Sequence, residues 1–122
     1  MKQEDAPKAI GPYSQGVTAN GFLFVSGQLP IDPVLGKIPE GSIVKRAHIV
    51  FTNLSGIARE AGTQLDNTVK ITLFLTDMND FTTVNDVYNT YFKKPFPARS
   101  TIQVAALPLG PDIEMEAIFT LS

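Results

Sequence analysis

The chain contains no cysteine, which excludes disulfide staples, thiolate nucleophiles and cysteine-based zinc centres, and fits a reducing compartment. Its one histidine, His48, is too few for a histidine-based metal centre. Neither sign of charge dominates: the formal net charge is −2 and the pI about 5.2, which argues against a strongly nucleic-acid-binding surface. No apolar run approaches the roughly 20 residues that span a bilayer. The opening residues are polar and lack the apolar core of a signal peptide. No P-loop, G-x-G-x-x-G or G-x-S-x-G motif occurs. The expectation is a soluble cytoplasmic domain.

What is present suits one globular domain over residues 1–122, with hydrophobic residues at 43%, enough to build a core. Asn20-Gly21 lies between two apolar stretches and predicts a tight hairpin. Across 45–61, Ala47, Val50, Phe51, Leu54, Ile57, Ala58 and Ala61 fall on one helical stripe, with Ser42 as N-cap and Gly62 as a left-handed stop. Residues 69–76 alternate, with Val69, Ile71, Leu73 and Leu75 pointing one way. A second helical stripe joins Phe81, Val84, Val87, Tyr88, Tyr91 and Phe92, capped by Asn79 or Asp80, and 101–107 and 113–121 read as two further strands. The order β-β-α-β-α-β-β predicts an α+β fold with both helices on one sheet face.

Several of these strands are apolar on both faces: Phe22 and Phe24 oppose Leu23 and Val25, and Phe74 opposes Leu73 and Leu75. Two helices cover one side only. Another copy of the chain is the economical cover for the other, so a homo-oligomer is expected.

Few residues offer chemistry. His48 sits beside the first helical stripe and reads as a surface or edge position. Asp77-Met78-Asn79-Asp80 resembles a calcium loop superficially, but lacks the glycine and terminal glutamate at the required offsets, so helix capping explains it better. Arg99, after Phe96-Pro97-Ala98 at a strand entrance, can offer a two-pronged fork to a substrate carboxylate, although a solvated charge or intersubunit salt bridge fits its position too. Glu114 and Glu116 share one face of an apolar strand. On an exposed face they are ordinary; against a neighbouring subunit at least one is desolvated, with its pKa raised as an acid–base group requires.

Taken together these segments resemble the RidA/YjgF family. The resemblance is carried by Ile10-Gly11-Pro12-Tyr13-Ser14-Gln15 and Val25-Ser26-Gly27-Gln28-Leu29-Pro30, and by Phe74-Leu75-Thr76-Asp77-Met78-Asn79-Asp80-Phe81 with Val84-Asn85. Pro97-Ala98-Arg99-Ser100-Thr101 and Ile113-Glu114-Met115-Glu116-Ala117 complete it. Each segment is weak alone, but the ordered set covers nearly the whole chain.

The resemblance implies a chorismate-mutase-like α+β fold assembled as a homotrimer with active sites in clefts between subunits. It implies cofactor-independent hydrolysis of 2-imino acids, arising as enamines such as 2-aminoacrylate, to 2-keto acids and ammonia. Arg99 matches the family's substrate-carboxylate arginine, and Glu114 the carboxylate that activates water. Tyr13, Ser26, Gly27 and Asn85 match cleft-lining positions, and Thr101 stands where many members have cysteine. The connection 93–98 is shorter than in some members, which bears on substrate preference. A non-catalytic trimer that binds keto acids is the competing reading. RNA cleavage, also proposed for the family, is disfavoured by the acidic pI and single histidine.

Overall fold

A computed structural model describes residues 14–121. The elements are β1 (Gly16–Ala19), β2 (Phe22–Gln28), α1 (Ile43–Glu60), β3 (Thr68–Leu75), α2 (Phe81–Tyr91), β4 (Ala98–Gln103) and β5 (Ile113–Thr120). This is the expected α+β order. The strands form one mixed sheet in the order β1-β2-β5-β3-β4, antiparallel except for the β3–β4 pair.

Asn20 and Gly21 make the expected hairpin turn, with φ of 52° and 83°; two successive positive φ values match the right-handed twist of the paired strands. Ser42 caps α1 by accepting from the Lys45 N–H, and Gly62 follows the helix at φ 85°. The stripe on α1 packs Val50, Phe51, Leu54 and Ile57 against Leu23, Ile71, Leu73, Met115 and Phe119, all fully buried. At about 1.5–3 kcal/mol for each buried large apolar side chain, this layer supplies most of the driving force for folding.

Three expectations need correction. Val69 does not join Ile71, Leu73 and Leu75 in the core, because a register shift between Thr68 and Lys70 turns it outward and buries Thr68 in its stead. The fourth strand begins at Ala98 and ends at Gln103, rather than running over 101–107. Its parallel ladder with β3 is already made at Lys70–Ala98, and ends where β3 ends, at Leu75. The cap of α2 needs correction only in part: Asp80 is its N-cap residue, as expected, but its side chain makes no cap hydrogen bond, and the Asp77 carboxylate accepts from the Asn79 N–H in the short turn leading into the helix.

The sheet face away from the helices leaves Phe22, Phe24 and Ile102 at 39%, 43% and 44% exposure, an apolar surface that neither helix reaches. No helix among the described residues is long and apolar enough to cross a membrane.

Candidate functional site

Arg99 is the second residue of β4, and its register with Ile71 turns its side chain toward the helices. There α2 receives it. Phe81, Asn85 and Tyr88 fall at i, i+4 and i+7, one stripe of the helix. Nη1 of Arg99 donates to Asn85 Oδ1 at 2.8 Å, and the guanidinium carbon lies 4.6 Å from the Tyr88 ring centroid and 5.4 Å from that of Phe81. These contacts fix a planar fork at low entropy cost and leave its other N–H groups available to an anion. Tyr88 is itself seated on the core: its ring meets Phe51 edge-on at 5.9 Å and Phe92 at 4.7 Å. Burial raises the Tyr88 pKa while Arg99 opposes the shift, so the phenol is neutral near pH 7. The guanidinium faces an open cavity of about 390 Å³, lined by Asn85, Tyr88, Asn89, Phe96, Pro97 and Arg99. Thr101, in register with Leu73, points to the same side of the sheet.

Glu114 is elsewhere. It sits between Ile113 and Met115, which both point into the core, and it pairs with Phe74 on the opposite face of the sheet. Its neighbour is Gly27, where a register shift between Val25 and Gln28 bends β2. A Cβ on Gly27 would lie 2.8 Å from the Glu114 carboxyl carbon, so a larger residue would push the carboxylate out of this position. Burial raises the Glu114 pKa, with the like charge of Glu116 adding to the shift. Ser26 completes this cluster, its Oγ donating to the Ser14 carbonyl at 2.6 Å. The buried Gln28 amide supports the bend by donating to the Ser26 carbonyl at 3.1 Å and to Gln15 Oε1 at 2.6 Å.

The seven residues singled out in the sequence thus fall into separate places. Arg99, Asn85 and Thr101 lie on the helix side, whereas Glu114, Gly27 and Ser26 gather around the β2 bend; Tyr13 lies outside the described residues. One chain does not bring Arg99 and Glu114 together. The sequence reading overlooked Phe81, Asn89 and Phe96 as neighbours of Arg99 and took Tyr88 for core alone. The i, i+4, i+7 spacing of Phe81, Asn85 and Tyr88 was the available signal. His48 has no part in either cluster; its Nδ1 is 2.6 Å from the Tyr91 hydroxyl, between α1 and α2.

Fold and pocket define a small α+β protein with an arginine fork opening onto a cavity beside a helix-backed sheet. The chain belongs to the RidA/YjgF family, whose model, described as Endoribonuclease L-PSP, matches residues 3–121. It is 50% identical over 113 residues to the 2-iminobutanoate/2-iminopropanoate deaminase of Bos taurus, covering 93% of this chain and 82% of that protein. YyfA of Yersinia pestis, solved as a member of the conserved Rid protein family, superposes with a TM-score of 0.94 at 46% identity, covering 98% of this chain and 95% of that one. Escherichia coli TdcF, solved with bound serine, gives 0.93 at 40% identity, with 99% and 97% covered.

Proposed function

We propose that this protein hydrolyses 2-imino acids, formed from enamines such as 2-aminoacrylate, to 2-keto acids and ammonia in a cleft between copies of the chain. The observation that carries the reading is the Arg99 fork, held by Asn85 and the Tyr88 ring, opening onto a cavity able to take a small carboxylate. The activity in the name of the bovine relative supports the same chemistry.

Arg99 pairs with the substrate carboxylate and fixes the imine carbon. That carbon is already electrophilic, so orientation and delivery of water suffice and no cofactor is called for. Glu114, contributed by a neighbouring copy, accepts a proton as water adds, and returns one to the nitrogen as ammonia departs. Its raised pKa suits both steps, because a carboxylate closer to neutrality exchanges protons more evenly. The apolar sheet face with Phe22, Phe24 and Ile102 is the surface on which copies would meet, as a homotrimer.

A second reading, binding without turnover, is favoured by the serine bound to TdcF. The two separate in one assay. Purified protein is coupled to a serine/threonine dehydratase in the presence of semicarbazide, which traps free imine. The deaminase reading expects keto acid to form at the expense of semicarbazone, and Arg99→Ala to abolish the effect while the oligomer persists. An unchanged semicarbazone yield with the native chain, alongside keto-acid binding by calorimetry, leaves a binding protein.

A further inference from the structure

The Arg99 cavity is larger than the smallest imino acids need. At roughly 30 Å³ per water-sized group, the six heavy atoms of 2-iminopropanoate would displace about 180 Å³. That is less than half of the 390 Å³ that a single chain leaves in front of the guanidinium. Phe96, Pro97 and Asn89 are among the residues that line the cavity.

Phe96 is unusual among the apolar residues of this region. It is 49% exposed, and it makes no ring contact with another aromatic among the described residues. Its place in the chain is nonetheless stiff. Pro95 precedes it and Pro97 follows, and a residue before proline is confined to extended conformations. A preorganised apolar ring at the wall of an anion pocket loses little entropy when a ligand covers it, and gains the burial of its face. It stands three residues before Arg99 on the same segment, so a ligand clamped through its carboxylate can reach the ring with its side chain.

We propose that Phe96 selects the substrate side chain, and that the preferred substrates are 2-imino acids with bulky apolar side chains rather than the three-carbon imine. The inference rests on the carboxylate-clamp reading given above. The substrate's carboxylate takes Arg99, its imine carbon faces the incoming water, and its side chain packs on Phe96 and Pro97.

A D-amino-acid oxidase with catalase supplies the imines of alanine, leucine and phenylalanine for the test, with semicarbazide as the competing trap. The native chain is expected to show a kcat/KM about tenfold higher for the leucine and phenylalanine imines than for the alanine imine. Phe96→Ala should lose about tenfold on the larger imines and less than about twofold on the smallest, and Phe96→Leu should keep most of the preference. Equal losses on all three imines, or no preference in the native chain, overturn the inference and leave the deaminase reading standing. A Phe96→Ala protein that sediments differently from the native one assigns the ring to a subunit interface and also overturns it. If the native chain hydrolyses none of the three, the deaminase reading fails and the inference fails with it.

Discussion

Gly27 and Glu114 touch across the β2–β5 pair so closely that the smallest side chain at Gly27 would collide with the carboxylate, its Cβ 2.8 Å from the carboxyl carbon. Gly27→Ala therefore has to displace Glu114. The expected outcome is a loss of imine hydrolysis of at least about tenfold with little change in stability, because the atoms a Cβ meets are the movable end of the Glu114 side chain. Coupled keto-acid assays and urea denaturation measure the two separately. Native-like activity in Gly27→Ala would show that the position of Glu114 does not matter to turnover.

The carboxyl of Glu114 is held above its ordinary value of 4.5 by burial first and by Glu116 second. As a base it must be ionised, so kcat/KM should fall as pH drops through the raised pKa. Glu116→Gln removes the like charge, lowers the Glu114 pKa and should move that acid limb to lower pH. The same shift acts on stability. The folded state holds the Glu114 proton more tightly than the unfolded chain does. Stability from this group is thus present below pH 4.5 and lost as pH rises through the raised pKa. Glu114→Gln should cost about 100-fold or more in turnover, yet melt no lower than the native chain at pH 7. A mutant that is both inactive and clearly less stable would point to a structural carboxylate.

Asn85 holds Arg99 through a neutral acceptor. Replacing it with aspartate keeps the hydrogen bond but adds a negative charge that competes with the substrate's own. Asn85→Asp should therefore weaken keto-acid binding more than Asn85→Ala does, by about tenfold or more against the native chain. Calorimetric titration with pyruvate would decide. Tighter binding to Asn85→Asp than to Asn85→Ala would remove Arg99 from the anion site.

Because one chain carries Arg99 and Glu114 on opposite sheet faces, two inactive proteins should repair each other. Refolding Arg99→Ala together with Glu114→Gln at equal amounts should restore about a quarter of native activity, the share of clefts that random assortment leaves intact. Each variant refolded alone stays inactive. No recovery in confirmed mixed oligomers would place both groups in the same chain's site.

Much of the molecule was legible along the chain. The Asn20-Gly21 hairpin, the Ser42 cap, the Gly62 stop and both helical stripes depend on residues within a few positions of one another, and local sterics and periodicity decide them. The two-sided apolar strands also predicted an apolar sheet face that the helices do not cover, and Phe22 and Phe24 do stand exposed there. The individual family segments were readable too, since their order and spacing survive in one dimension.

Other features belong to tertiary structure alone. Strand order β1-β2-β5-β3-β4, the parallel seating of β4 and the outward turn of Val69 follow from pairing between distant segments. So does the central fact of the site. The period of a strand is two, and a single-residue change in register moves a side chain to the other face. The alternation around Glu114 puts it opposite its apolar neighbours, but nothing near Arg99 in sequence tells that it takes the other face. The ladder from β4 through β3 to β5 settles it, setting Arg99 beside Asn85 and Tyr88 and Glu114 beside Gly27, with the sheet between them.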